Sequence, residues 1–196
     1  MRNAIMIGER VYLRPLEVSD ADELARHYAV ETETFFDDGR VPFSPLAFEK
    51  WIGDLYKQRP PREVQFAVCL KEDDRLLGMV GISDIDWVNR TGETESYFGL
   101  PENRSKGYGT ETKHLILEYA FDRIRLEMIC SYVWEPNTRS AAALRKQGYQ
   151  PAGRVRSAAT RGAVFRDMLV FDLSRDEWLA ARDQAKAARS AKALTS

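Results

Sequence analysis

The residues best placed for chemistry in this 196-residue chain lie in one short stretch, RSKGYGT at 104–110, which joins two glycines, two cations and hydroxyl side chains. It falls between a strand expected to end near Leu100 and a helix expected to begin near Gly109. A helix N-terminus exposes unpaired N–H groups and the positive end of the macrodipole, and glycine lets the backbone come close, so this turn suits a phosphate group. A structural turn of the same composition is the alternative. Two other phosphate motifs fit less well. The third glycine of GxGxxG would fall on Thr112, and Gly109 is followed by Thr110 rather than by a P-loop lysine, which disfavours dinucleotide and ATP binding.

Further candidates flank this loop. The segment MICSYVW runs into EPNTRSAAALRKQGY, which presents Asn137 and Ser140 just past a strand end, where ligands gather in α/β sheets. In ETESYFGL, Glu93, Glu95 and Tyr97 share one strand face, and Thr94, Ser96 and Phe98 share the other. Asp84 and Asp86 read either as ligands for a cationic substrate or as solvated turn residues. His27 and His114 stand in separate helices, away from telling partners, and read as packing or surface histidines.

The elements that must position these groups are legible in outline. Val11 to Leu16 reads as a strand, and Ser19 as the N-cap of the helix ADELARHYA. Ser44 and Pro45 open a second helix whose Phe48, Trp51, Ile52, Leu55 and Tyr56 recur at helical spacing. VQFAVCL, LLGMVGISDIDW and ETESYFGL follow as an antiparallel meander. Then come a helix from Gly109 to about Arg123, a strand from Met128 to Trp134, a helix from Thr138 to Gln147 closed by Gly148, and a strand from Val164 to Leu173. Ser174 with Glu177 forms a capping box ahead of the alanine-rich, basic tail. One domain is expected over residues 1–180, with 181–196 as a helical or disordered tail.

Composition narrows the function. Acidic and basic residues nearly cancel, 30 against 29, so no global positive field collects nucleic acid or an anionic membrane surface. No apolar run approaches the roughly 18 residues that span a bilayer. Cys69 and Cys130 sit in apolar runs outside any CxxC spacing, and MRNAIMIGERVYL lacks a signal-peptide core, which points to a reducing cytoplasm. No metal-ligand spacing is present.

Taken together, RSKGYGTET, the preceding SYFGLPEN, the following VWEPNTRSAAALRKQGY and the opening RVYLRPLEVSDADEL resemble the GNAT superfamily of N-acetyltransferases. Within it they resemble the RimJ/RimL-like branch, which acetylates ribosomal-protein N-termini and diverse small amines. The resemblance implies a mixed α/β fold, a strongly twisted and mostly antiparallel sheet with helices on both faces and a splayed central strand pair. It implies acetyl-CoA as co-substrate, its pyrophosphate lined by Arg104, Ser105, Lys106, Gly107, Tyr108, Gly109 and Thr110, chiefly through main-chain N–H groups. Phe98, Gly99 and Leu100 would contact the pantetheine arm, Asn137 would lie beside the thioester, and Ser140 matches a position that in some relatives faces the sulfur.

Amine acetylation needs a neutral amine, a polarised carbonyl and an outlet for the thiolate. A tyrosine that many relatives carry in the helix after the asparagine is Leu144 here, which leaves Ser140 as the substitute. Counting back from the glycine loop, the relatives' acidic position falls on Thr94, with Glu93 and Glu95 on either side; Glu95 is the favoured base and Glu93 the alternative. The expected acceptor is a small-molecule amine or a protein N-terminus. A catalytically weak CoA-binding sensor is the competing reading, and a homodimer is left open.

Overall fold

The structure, a computed structural model, describes the backbone of residues 1–30, 43–161 and 164–193, and the side chains of 1–30, 43–157 and 165–184. The chain forms two compact units, Met1–Arg125 and Leu126–Ser196. In the first, strands β1 (Met6–Ile7), β2 (Val11–Pro15), β3 (Val64–Leu70), β4 (Leu76–Asp86) and β5 (Thr91–Phe98) pair antiparallel in sequence order. Helices α1 (Ala21–Ala29) and α2 (Pro45–Leu55) join β2 to β3, and α3 (Tyr108–Glu118) follows β5.

Strand alternation sends side chains to two cores. Tyr12, Ala67, Cys69 and Leu76 pack with Leu24 and Ala25 of α1 and with Phe48 and Ile52 of α2. Val11, Leu13, Phe66, Val68 and Val80 occupy the opposite parity, where α3 covers the sheet and the Phe66 ring meets Tyr119 edge-on at 4.8 Å. Helices therefore lie on both faces of this sheet, as expected.

The α2 start is as the sequence predicts: Ser44 is the N-cap, its hydroxyl accepting from the Ala47 N–H, with Pro45 in the first turn. The α1 start differs. A 3₁₀ turn, Val18–Asp20, precedes the helix, and Asp20 rather than Ser19 stands at its N-cap. Asp20 is drawn inward by Arg14, which donates to both its carboxylate oxygens at 2.7 and 2.6 Å, a bidentate buried pair. The helix read from Gly109 to Arg123 is also divided, for α3 ends at Glu118 and a single π turn, Tyr119–Arg123, completes it.

In the second unit β6 (Met128–Trp134), β7 (Gln150–Arg161) and β8 (Val164–Ser174) pair antiparallel in the order β6-β8-β7. Helix α4 (Thr138–Lys146) follows β6, and α5 (Arg175–Ala193) follows β8. Strand β7 is absent from the sequence reading. Its described side chains from Pro151 to Ser157 are exposed and show no apolar alternation; pairing with β8 defines it, around a register shift at which the Ser157 N–H donates to Asp167 at 2.9 Å. The capping box at α5 is formed, the Ser174 and Glu177 side chains each accepting the other's backbone N–H. The backbone of α5 runs on across position 181 to Ala193. No described helix is long and apolar enough to cross a membrane.

Candidate active site

The stretch between β5 and α3 is built by backbone conformation. After a 3₁₀ turn at Pro101–Asn103, Ser105 and Gly107 take left-handed φ values of 60° and 84°. Turns of this kind gather backbone N–H groups into an anion-binding concavity. Gly107 is the N-cap of α3 and brings no capping side chain; the first helical bond runs from the Glu111 N–H to its carbonyl at 3.2 Å. The N–H groups of Tyr108, Gly109 and Thr110 precede that bond and have no helical carbonyl to meet. The conformation fits a phosphate.

The two glycines are not equivalent. A Cβ at Gly107 would sit in left-handed backbone, 3.0 Å from Arg10 Nη2, whereas one at Gly109 would make ordinary contact with the Phe98 ring at 3.5 Å. Lys106 is exposed. The Arg104 side chain turns back to the strand, donating from Nε to the Phe98 carbonyl at 3.3 Å and from Nη2 to the Gly99 carbonyl at 2.9 Å. It ties the segment Phe98 to Leu100 to the loop. Gly99 leaves room for α1: a Cβ there would lie 2.4 Å from the Cβ of His27. His27 is fully buried, its Nε2 3.0 Å from Glu23, and burial lowers its pKa, so packing is its role, as the sequence suggests.

Glu95 lies on the α1 and α2 face of the sheet. Opposite it across the ladder is Gly81, and opposite Gly81 is Gln65. A Cβ on Gly81 would strike the Gln65 amide at 2.3 Å, so this glycine lets Gln65 reach over β4. Gln65 Nε2 donates to Glu95 and also to Glu63, the latter at 2.9 Å. Burial, then the charge of Glu63, raises the Glu95 pKa above the ordinary carboxylate value, against the Gln65 bond and the charge of Lys113. Beside this group Tyr97 packs on the Tyr28 ring at 4.5 Å, and Tyr28 on Phe48 at 5.2 Å. Phe43 joins this aromatic group, its ring 5.0 Å from that of Phe48.

Thr94 points the other way. It accepts from Lys113 Nζ of α3 at 2.8 Å, and burial drives the Lys113 pKa down to about 8 despite Glu95 and Glu93. The register of the relatives' acid thus faces α3, and the carboxylates on either side of it face α1 and α2. Asp86 is a turn residue, accepting from the Val88 and Asn89 N–H groups at 2.9 and 2.8 Å.

Asn137 and Ser140 belong to the second unit. Asn137 is the N-cap of α4, its Oδ1 accepting the Ser140 N–H at 3.1 Å, and both residues are half-buried. Leu144 is buried, and as a leucine it brings no hydroxyl to the position where the family resemblance would place a tyrosine. Sequence reasoning missed Arg10, Gln65, Gly81 and Lys113. Only Gln65, one polar residue inside the apolar VQFAVCL, left a mark that could have been read.

An antiparallel sheet running into such a loop, with helices on both faces, is the architecture of an α/β acyltransferase. The chain matches the acetyltransferase (GNAT) domain over residues 10–150, and it belongs to that family. It is an N-acetyltransferase by that membership. Its sequence is 27% identical over 175 residues to the uncharacterized N-acetyltransferase p20 of Bacillus licheniformis, covering 87% of this chain and 96% of the relative. It is 24% identical over 177 residues to YdaF of Bacillus subtilis, provisionally named a ribosomal N-acetyltransferase, covering 88% and 95%. Among solved structures, Mycobacterium smegmatis RimJ in complex with CoA-disulfide superposes with a TM-score of 0.77 at 22% identity, over 91% of this chain and 90% of that one. A chimera of the spermidine N-acetyltransferase SpeG from Vibrio cholerae and hSSAT gives 0.77 at 19% identity, over 87% and 99%. At these identities the solved structures show a shared fold, the one that the sequence motifs implied.

Proposed function

We propose that this chain transfers an acetyl group from acetyl-CoA to a weakly basic amine, an α-amine of a protein N-terminus or a small-molecule amine. The observation that carries the reading is the loop at 104–110, whose two left-handed residues open onto the uncapped N–H groups of α3. These would hold the pyrophosphate, with Phe98, Gly99 and Leu100 along the pantetheine arm. In this reading residues 1–180 act as one catalytic domain in the cytoplasm.

Glu95 is the group to take the proton. As the amine nitrogen bonds to the thioester carbon and the C–S bond breaks, one amine proton passes to Glu95, directly or through water, and the thiolate leaves to be protonated. A backbone N–H near Phe98 or Gly99 would polarise the carbonyl. Asn137 and Ser140 keep the thioester-side roles that the family resemblance gives them. A lysine side chain with a pKa near 10.4 is neutral in only about one molecule in 2500 at pH 7, against roughly a tenth for an α-amine near 8. Glu95, sharing Gln65 with a second carboxylate, suits the easier proton. Among the relatives, the name of a ribosomal N-acetyltransferase supports a protein acceptor.

Thermal unfolding tests the reading. Acetyl-CoA at a hundred times its dissociation constant should add about 2.7 kcal/mol of apparent stability, and NADH or ATP none. A shift with NADH or ATP and none with acetyl-CoA would refute it. CoA release against a panel of N-terminal peptides, polyamines and amino acids then separates an enzyme from the sensor that the missing tyrosine suggests.

A further inference from the structure

The loop adjoins two groups that would oppose an anion, the Lys106 carbonyl and the Glu111 carboxylate one turn into α3. One side chain engages both. Arg10, just before β2, donates from Nη1 to the Lys106 carbonyl at 2.8 Å and from Nε to Glu111 Oε2 at 3.1 Å. The Arg10 and Val11 N–H groups donate to Glu111 Oε1 at 2.7 and 3.2 Å. The guanidinium lies over the Tyr108 ring, 5.0 Å from its centroid, and its Nη2 stands where a Cβ on Gly107 would approach to 3.0 Å. Burial acts to raise the Glu111 pKa, but the Arg10 and Val11 bonds prevail and hold it below the ordinary value. Glu111 is thus a carboxylate beside the positive end of a helix, where it would compete with a phosphate for the same field.

We propose that Arg10 is a positioning residue of the cofactor loop: it holds the Lys106 carbonyl out of the anion cradle and neutralises Glu111, so that the N–H groups of α3 are left to the pyrophosphate. The inference rests on the loop reading given above. It is separate from any direct contact of Arg10 with the ligand. A fork of donors is needed, since one planar guanidinium spans a carbonyl and a carboxylate that an ammonium cannot bridge in the same geometry.

The test is titration calorimetry with three probes: CoA, dephospho-CoA, which keeps the pyrophosphate but lacks the 3′-phosphate, and pantetheine, which has no phosphate. Arg10→Met should weaken CoA and dephospho-CoA by the same factor, roughly tenfold or more, and leave pantetheine unchanged. Arg10→Lys should fall between it and the wild type. Glu111→Gln added to Arg10→Met should restore part of the lost affinity, because it removes the carboxylate left uncompensated. That recovery would not follow if Arg10 only braced the fold. A loss confined to CoA would make Arg10 a ligand of the 3′-phosphate and overturn the proposal, as would an equal loss with pantetheine. Wild-type CoA affinity in Arg10→Met alongside a crippled Gly107→Val would end the role of Arg10 and leave the loop standing. Wild-type affinity in Gly107→Val would remove the loop reading, and this inference with it.

Discussion

The loop at 104–110 and the carboxylates around Glu95 lie in the same compact unit, yet they are made in opposite ways. The loop is a backbone site: its shape comes from left-handed residues at 105 and 107 and from carbonyls that Arg10 and Arg104 hold in place. The other is a side-chain site, in which Gln65 reaches across Gly81 to hold Glu63 and Glu95 together. The first should resist an added Cβ at Gly107 and tolerate loss of the exposed Lys106 side chain. The second should depend on charge and pH.

The largest expected effect falls on the side-chain site. If Glu95 takes the amine proton, Glu95→Gln lowers the acetylation rate by about a hundredfold or more and moves the acidic limb of its pH profile upward, toward the pKa of the amine itself. Because burial and Glu63 raise the Glu95 pKa, that limb in the wild type should lie above pH 4.5. Glu93→Gln is the matched control and should keep both rate and profile. An unchanged rate in Glu95→Gln across pH 6 to 9 would remove Glu95 from the chemistry.

Next comes the backbone site. Gly107→Val forces a β-branched residue into left-handed backbone, a cost of at least about 1–2 kcal/mol, and should weaken acetyl-CoA binding by roughly tenfold or more. Isothermal titration would show it. Gly109→Ala meets only an ordinary contact with Phe98, so its thermal midpoint should match or exceed that of the wild type. Equal damage from the two substitutions would mean that the loop is not shaped by Gly107. Lys106→Ala should cost less than Gly107→Val, since an exposed charge is screened by salt.

Lys113 joins the two regions from beneath, on the helix that the loop begins. Its folded pKa of about 8 lies below the ordinary 10.5, so the native state binds fewer protons than the unfolded one between those values. Stability should therefore rise with pH across that window, by at most about 1.4 kcal/mol per pH unit. Urea unfolding at pH 7, 8.5 and 10 should show that Lys113→Met lacks this component. Parallel stability curves for the two proteins would show that Lys113 is not buried as a titrating group.

Much of the architecture was legible because it rests on local chemistry. Ser44 with Pro45 caps α2, Ser174 with Glu177 caps α5, and β3, β4 and β6 are short apolar runs bounded by turn residues; each signal lies within a few residues of its effect. Strand β7 was not legible. An edge strand that contains Pro151 and Gly153 and whose described side chains are exposed carries no periodicity, and only its pairing with β8 makes it a strand. At the N-terminus Ser19 yielded to Asp20 because Arg14, six residues away, captures that carboxylate.

The site divides in the same manner. The order of glycines, cations and hydroxyls at 104–110 is written in the chain, and so is the alternation that puts Glu93 and Glu95 on one face and Thr94 on the other. Which face looks to α1 and α2 depended on the packing of Tyr97 against Tyr28 and of Lys113 against Thr94. Arg10 reaches its carboxylate across 101 residues, and Gln65 reaches Glu95 across 30. Sequence fixes the type and spacing of groups along the chain, whereas charge neutralisation and hydrogen-bond sharing between distant strands exist only once the sheet has brought them together.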